Sequence, residues 1–443
     1  MEPIYNVRTL GVGKTTVLGL QHLFAMFGAT VLVPIITGLS VSATLLFAGI
    51  ATIFMHLVTN RKIPVFLGSS FAFLGGYSAV KLAGVEYGLT EAEALPYACV
   101  GVACAGLLYL LLALICKIVG WQKIIKFFPP IVTGPIIIAI GMTLAPSAIN
   151  NCAKNWWLAL VAIIVVIVCN IWGKGMIKIV PILLGVVASY LVAAITGNID
   201  FTLVKEAAWI GLPFQMKDTV FGLFATNVNK GLLVSAIVTI VPIAIATMME
   251  HVGDISAIGS TTGQNFIKNP GLHRTLIGDG VGTTIAALFG APANTTYGEN
   301  TGVLALTKVY DPFVVRLAAY FAIVLSFCPK FAALIRVMPA ATIGGVSLIL
   351  YGMISAIGVR NMVENYTDFQ ESRNIIIAAV ILSLALGVTF SAAGAIAFTV
   401  GSVNVSLSGL AIASVMGIIL NAILPGKEPP KENDKLSGSL GKY

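Results

Sequence analysis

The sequence predicts an all-α polytopic membrane protein, and three observations carry that prediction. The first is composition: of 443 residues, 58% are hydrophobic and 10% charged. The mean hydropathy is +0.96, far outside the balance of a soluble domain. The second is a series of apolar runs near the roughly 20 residues that cross a bilayer as a helix, which adds up to about fourteen crossings. The third is the distribution of Lys and Arg. With a cytoplasmic N-terminus, the inner segments hold nineteen of the 26 and the outer segments seven, the positive-inside bias of an even number of spans.

Along the chain, the first apolar run begins near Thr15 and reads as a spanning helix rather than a cleavable leader. Runs at 107–115, 158–171, 180–195 and 375–388 continue the series. The net charge of +8 follows from topology, so no nucleic-acid partner is needed and membrane lipid is the expected surroundings. Both termini are expected in the cytoplasm, with 427–443 as a polar tail. Six cysteines lie scattered, without paired or metal-ligand spacing, and no H-E-x-x-H stands among the histidines. Gly11-Val12-Gly13-Lys14-Thr15-Thr16 imitates the end of a phosphate-binding loop. Arg8 holds the place of its first glycine, and a polar leader precedes it instead of a strand. Neither a cofactor, a metal nor an enzymatic nucleophile–base pair is expected.

Three segments recur in order. Gln21-His22 echoes Glu250-His251, and Gly68-Ser69-Ser70-Phe71-Ala72 echoes Asn294-Thr295-Thr296-Tyr297-Gly298. Phe128-Pro129 through Gly141-Met142 echoes Met338-Pro339 through Gly352-Met353. Two units of seven spans each would be upside down relative to one another, the architecture of many secondary transporters. In the middle echo, Pro64 and Pro292 open stretches poor in helix formers, followed by half-helices at 72–82 and 299–308. Each is a broken crossing. Together they would pair their extended parts as short antiparallel strands and aim two helix N-termini at one point.

Four carboxylates, Glu250, Asp254, Asp279 and Glu299, stand in this apolar setting. Acids at membrane depth survive only when they face a protein interior or a wet cavity. Glu250 and Asp254 share a helix face, and Glu299 opens a half-helix. Asp279 either lines the cavity or holds its glycine-rich helix to a neighbour. Phe71 and Tyr297 offer flat faces at corresponding places. Acceptor carboxylates, donor amides and aromatic walls suit a small, flat, neutral heterocycle such as a nucleobase.

The stretch Gln21-His22-Leu23-Phe24-Ala25-Met26-Phe27-Gly28-Ala29-Thr30-Val31-Leu32-Val33-Pro34 resembles the first-helix signature of the nucleobase–ascorbate transporter family. Glu299-Asn300-Thr301-Gly302 with Thr307-Lys308 is similar to its second signature, and the nearest branch is the bacterial uracil permeases. The resemblance implies fourteen helices in two inverted repeats of seven. Residues 1–119 and 230–335 would form a core domain, 120–229 and 336–425 a gate domain, and 426–443 a tail, in a homodimer in the bacterial cytoplasmic membrane. It implies uracil import by proton symport, with protons as the coupling ion. Glu250 and Glu299 would bind the base, Phe71 and Tyr297 flank it, and Ser70 and Gly298 lie where backbone amides meet it. Tyr351 would touch it from the gate, and His22, Gln21 and Asn300 support the site. Glu250, Asp254 and Asp279 are the candidates for proton coupling. Asp254, where uracil permeases carry histidine, and Asp279 lean toward the xanthine and urate branch, while Glu299 leans toward uracil. A channel or anion exchanger of the same architecture is the alternative from another class. Glu299 at a half-helix start argues against an anion pathway.

Overall fold

Helices begin where the local chemistry can satisfy their first amides. Ser40, Asn155, Asn229 and Ser408 each accept a backbone N–H from the residue three further on, and Thr90 with Glu93 forms a reciprocal capping box. The helix Val12–Thr37 ends at Gly38, whose left-handed backbone lets its N–H return to Pro34 O. The computed structural model describes residues 2–225, 228–400 and 403–426. The expected tail, 427–443, lies outside the described residues.

The described chain is mostly helical, and seven helices are long and apolar enough to cross a membrane, or eight if a pair bent by 89° at Phe327–Cys328 is one span. Three further apolar helices, Trp156–Ile171, Pro181–Ile195 and Gly409–Ile423, are shorter. A count by length therefore reaches fewer spans than the sequence suggests, because several crossings are short or broken.

The two expected strand–helix segments are present. Strand β1 (Leu67–Ser69) precedes the helix Leu74–Glu86, and β2 (Asn294–Thr296) precedes Gly298–Thr307. The strands pair antiparallel, with Gly68 opposite Thr295. Ser70 N donates to Ala293 O (2.8 Å) and Tyr297 N to Phe66 O (3.1 Å), one bond at each end. This register corrects the expected correspondence by one residue. The two-fold through the Gly68–Thr295 pair relates Leu67 to Asn294 and Ser70 to Tyr297, so Phe71 corresponds to Gly298, not to Tyr297. Residue type could not reveal this, since a one-residue slip exchanges the two faces of a strand while leaving composition intact.

A threonine clamps each strand at its first residue. Leu67 N donates to Thr52 Oγ1 (2.9 Å), which donates back to Leu67 O (3.4 Å). Asn294 N donates to Thr283 Oγ1 (3.2 Å), which donates back to Asn294 O (3.1 Å). The helices bearing these threonines pack in matching ways: Leu272–Leu288 against Glu91–Val119, and Val41–Val58 against Pro312–Ser326. Trp156–Ile171 packs on Pro181–Ile195 as Ser372–Thr389 packs on Gly409–Ile423. Pro130–Cys152 lies along Ala340–Glu364, each starting directly after a proline cap. Gly134 and Gly358 let that pair approach, for a Cβ on Gly358 would stand 2.6 Å from Gly134 O.

The connecting segments sort into two groups that contact only among themselves in the bonds named here. In one, Ile4 bridges Val309, Tyr5 Oη donates to Thr262 O, and Lys62 Nζ donates to Asn269 Oδ1. In the other, Ser40 Oγ donates to Pro213 O, Lys330 Nζ to Val204 O, and Gly211 N to Phe327 O. The polar leader is thus a docked strap, and the helix begins at Val12 instead of near Thr15. A second antiparallel strand pair, β3 (Ile396–Val400) with β4 (Val403–Leu407), was not expected from the apolar composition around it.

Candidate functional site

The Ile243–Thr262 helix places Glu250 and Asp254 one turn apart. Asp254 is buried and accepts a hydrogen bond from Thr296 Oγ1 (2.8 Å), which ties the acid to β2. The carboxyls of Asp254, Asp279 and Glu299 lie close enough to Glu250 to act on it electrostatically. Glu299 is the second residue of its half-helix, where free amides and the helix dipole favour a negative group. These four acids therefore share one neighbourhood. Among the described residues, the carboxylate ion pairs are Lys81–Glu91, Arg360–Glu364 and His251–Asp279.

Phe71 follows β1 and meets Tyr351 edge-on, with ring centroids 5.6 Å apart at 75°. Tyr297 is buried and its hydroxyl donates to Ser69 O (3.0 Å), so its ring lies back along β1. Gly68 makes room for that ring: a Cβ there would collide with it and stand 2.8 Å from Thr30 Oγ1. Asn300 Nδ2 donates to His22 O (3.1 Å) and lies 3.0 Å from His22 Nδ1. Gln21 is placed elsewhere, its amide 2.6 Å from Met176 Sδ. Gly298 has the Ile357 side chain over it, at 3.5 Å from a Cβ built there. Ala340–Glu364, which carries Tyr351 and Ile357, thus touches both strand–helix segments, at Phe71 and at Gly298.

Buried polar atoms left without a partner cluster on the same elements: Ser70 Oγ, Glu250 Oε2, Thr295 Oγ1, Asn300 Oδ1 and Ser347 Oγ. Such atoms are costly unless something else binds them. A cavity of about 120 Å³ reaches Phe71 from one side, between Leu74–Glu86, Thr143, Ile243 and the β3–β4 pair. The buried Tyr351 touches the same ring.

Asp279 is turned to His251, whose Nδ1 lies 2.9 Å from Asp279 Oδ2. His251, Thr296, Thr30 and the two clamping threonines were not picked out from the sequence as site residues. His251 had a signal, since the residue after Glu250 on a helix must face about 100° away, toward a different neighbour.

Helices that cross a membrane, two strand–helix segments joined by their strands, and acids buried where they meet define a membrane transporter rather than an enzyme. A family model described as the permease family matches residues 13–394. The chain belongs to that family. It is 38% identical over 433 residues to a uracil permease of Bacillus caldolyticus, covering 95% of this chain and 94% of that one. It is 39% identical over 422 residues to a uracil permease of Bacillus subtilis strain 168, covering 92% and 91%. The uracil permease of Escherichia coli strain K12 is 35% identical over 433 residues, covering 94% of each. Among solved structures, the transmembrane domain of a cyanobacterial bicarbonate transporter, BicA, shares the fold with a TM-score of 0.61 at 16% identity, covering 95% of this chain and 99% of that one. SLC26A9 aligns with a TM-score of 0.64 at 10% identity, over 95% of this chain and 66% of that one.

Proposed function

We propose that this chain imports uracil across a bacterial cytoplasmic membrane by proton symport. The observation that carries the reading is the cluster of acids at the paired strands, where Glu250 Oε2 is buried without a partner. Uracil presents N–H donors that suit Glu250 and Glu299, and carbonyls that suit the amides at Phe71 and Gly298. The relatives named as uracil permeases support this base over xanthine or urate. Phe71, Tyr297 and Tyr351 supply the flanking rings, with His22 and Asn300 holding the half-helix that bears Glu299.

Alternating access follows from two bodies. Residues 1–119 and 230–335 form the core and 120–229 and 336–425 the gate, arranged as fourteen crossings in two inverted repeats of seven. What supports the repeat is the matched packing: the threonine clamp on β1 has its counterpart on β2, and the helix pairings described above recur in corresponding pairs. The two groups of connecting segments fit the orientation given by the basic residues, with both termini cytoplasmic and the Ile4–Val309 bridge on the inner face. A homodimer completes the assembly. A protonated Glu250 or Asp254 admits the neutral base beside Glu299 without adding a lone charge to the buried cluster. The gate then moves past Phe71, and proton and base leave together. Glu299, with no cation beside it, speaks against a channel or exchanger for anions.

The test is uptake of labelled uracil into proteoliposomes, competed in turn with each natural base. Competition by uracil alone, or by uracil and thymine, is expected. Displacement by xanthine with no effect of unlabelled uracil contradicts the assignment.

A further inference from the structure

Behind the acids that face the strands lies a second polar group that the transport reading does not use. His251 and Asp279 have side chains 0% exposed. They join the helix bearing Glu250 and Asp254 to the helix Leu272–Leu288, through His251 Nδ1 at 2.9 Å from Asp279 Oδ2 and His251 Nε2 at 2.9 Å from Thr275 Oγ1. Tyr109 lies edge-on to the imidazole at 6.4 Å and gives its own hydroxyl to Thr247 Oγ1 (2.6 Å). The titratable groups around the pair are Tyr109, Glu250 and Asp254.

Proton accounting fixes what the pair contains. Thr275 has one hydroxyl proton, and Leu272 O, which can only accept, lies 2.9 Å from its Oγ1. With the proton on that bond, Thr275 Oγ1 is the acceptor from His251 Nε2, which then carries a hydrogen. If His251 is neutral, Nδ1 then has no proton and must receive one from a protonated Asp279. If His251 is the imidazolium, Nδ1–H donates to an Asp279 carboxylate. Both arrangements place one proton on the pair, on Nδ1 or on the Asp279 carboxyl, and both are neutral overall. The alternative, a neutral His251 donating to an ionised Asp279, leaves an uncompensated anion in a fully enclosed site, at a cost buried charges rarely meet.

We infer that His251 and Asp279 form a net-neutral pair that keeps one proton between them and positions the Glu250–Asp254 helix, while the proton that travels with substrate is carried by the acids facing the strands. Asp254 touches the strand through Thr296, whereas Asp279 bonds only toward His251 in the contacts named here. Asp279 is then a positioning residue. This assignment rests on the transport reading for its transport arm alone.

Two measurements decide it. In the first, the parent protein is labelled with 15N-histidine, and the His251 resonances are assigned by elimination with His22→Gln, His56→Gln and His273→Gln. Nε2 should be protonated, with Nδ1 sharing a proton, unchanged across the pH range of transport and on adding uracil. An Nε2 without a proton, or a His251 signal that titrates with pH or moves to a new protonation state with uracil, overturns the inference. In the second, Asp279→Asn keeps a polar side chain of the same shape facing Nδ1 but has no proton to release. Its uracil uptake should stay within about tenfold of the parent with an unshifted dependence on external pH. Exchange of preloaded uracil that survives while proton-driven accumulation is lost would make Asp279 the carrier. If Asp279→Asn does not fold, the nitrogen spectra of the parent decide alone. A parent that moves no uracil at all defeats the transport reading and leaves the spectra to judge the pair.

Discussion

The Phe71 ring and the Tyr351 ring touch edge-to-face at 5.6 Å, and they come from different elements. Phe71 belongs to the segment after β1, and Tyr351 to the helix Ala340–Glu364. One side of Phe71 faces the 120 Å³ cavity. The contact therefore stands at the edge of the cavity, and a base that passes Phe71 from there toward Tyr351 must part the two rings.

Removing either ring should weaken substrate handling without unfolding the protein. Each ring flanks the base in the proposed site, and an aromatic contact contributes about 0.5–1.5 kcal/mol beyond area burial, so Phe71→Ala and Tyr351→Ala should each raise the KM for uracil by up to roughly tenfold. The double variant should cost less than the product of the singles, because one contact is lost in both. Initial-rate uptake over a range of uracil concentrations checks this, and independent effects would show that the rings act separately.

Asp254→Asn should remove pH dependence more than binding. An amide still accepts the Thr296 hydroxyl, so the tie to β2 survives. If the acid must be protonated on the outside to admit the base, parent uptake rises as external pH falls and declines as it rises. The asparagine variant should show a flat profile across the same range. A profile parallel to the parent would remove Asp254 from coupling.

Glu299 is placed to bind the base. Glu299→Gln keeps the shape but replaces a charged acceptor with a neutral one, a change of about 1.5–3 kcal/mol for a charge-assisted hydrogen bond. Uracil uptake should fall by roughly tenfold to a hundredfold, and competition by purines should appear or grow. Unchanged kinetics would take Glu299 out of the site.

Much of this arrangement is legible in the chain because the strongest signals are costs. Glu250, Asp254 and Glu299 stand out as acids among apolar residues, and Pro64 and Pro292 mark where a spanning helix cannot continue. The strand pairing could be foreseen from two extended stretches that each lack a partner. Its register could not. Phe71 and Tyr297 look equivalent by residue type, yet the Gly68–Thr295 pairing sets Tyr297 opposite the role of Ser70, leaving the two rings to do different things. The His251–Asp279 pair was hidden for a similar reason: 27 residues of intervening chain separate them, and only the packing of two helices shows that they meet. The β3–β4 pair was masked by its setting, since short alternating strands beside membrane helices read simply as more apolar chain.

Gly68 is the most constrained glycine of the site. A methyl group there would strike the Tyr297 ring and crowd Thr30 Oγ1 at 2.8 Å. Overpacking of this kind costs about 1–3 kcal/mol. Gly68→Ala should leave protein in the membrane while lowering labelled-uracil binding, measured on purified protein. Full binding would show that Tyr297 can move aside freely.

The central claim is that buried acids at the paired strands couple a proton to the passage of a base. Its most direct test is labelled-uracil accumulation in proteoliposomes under an imposed inward proton gradient, with and without a protonophore. The account predicts accumulation above equilibrium that the protonophore abolishes, accompanied by alkalinisation of the outer medium. Uptake that is indifferent to the collapse of the gradient would contradict it.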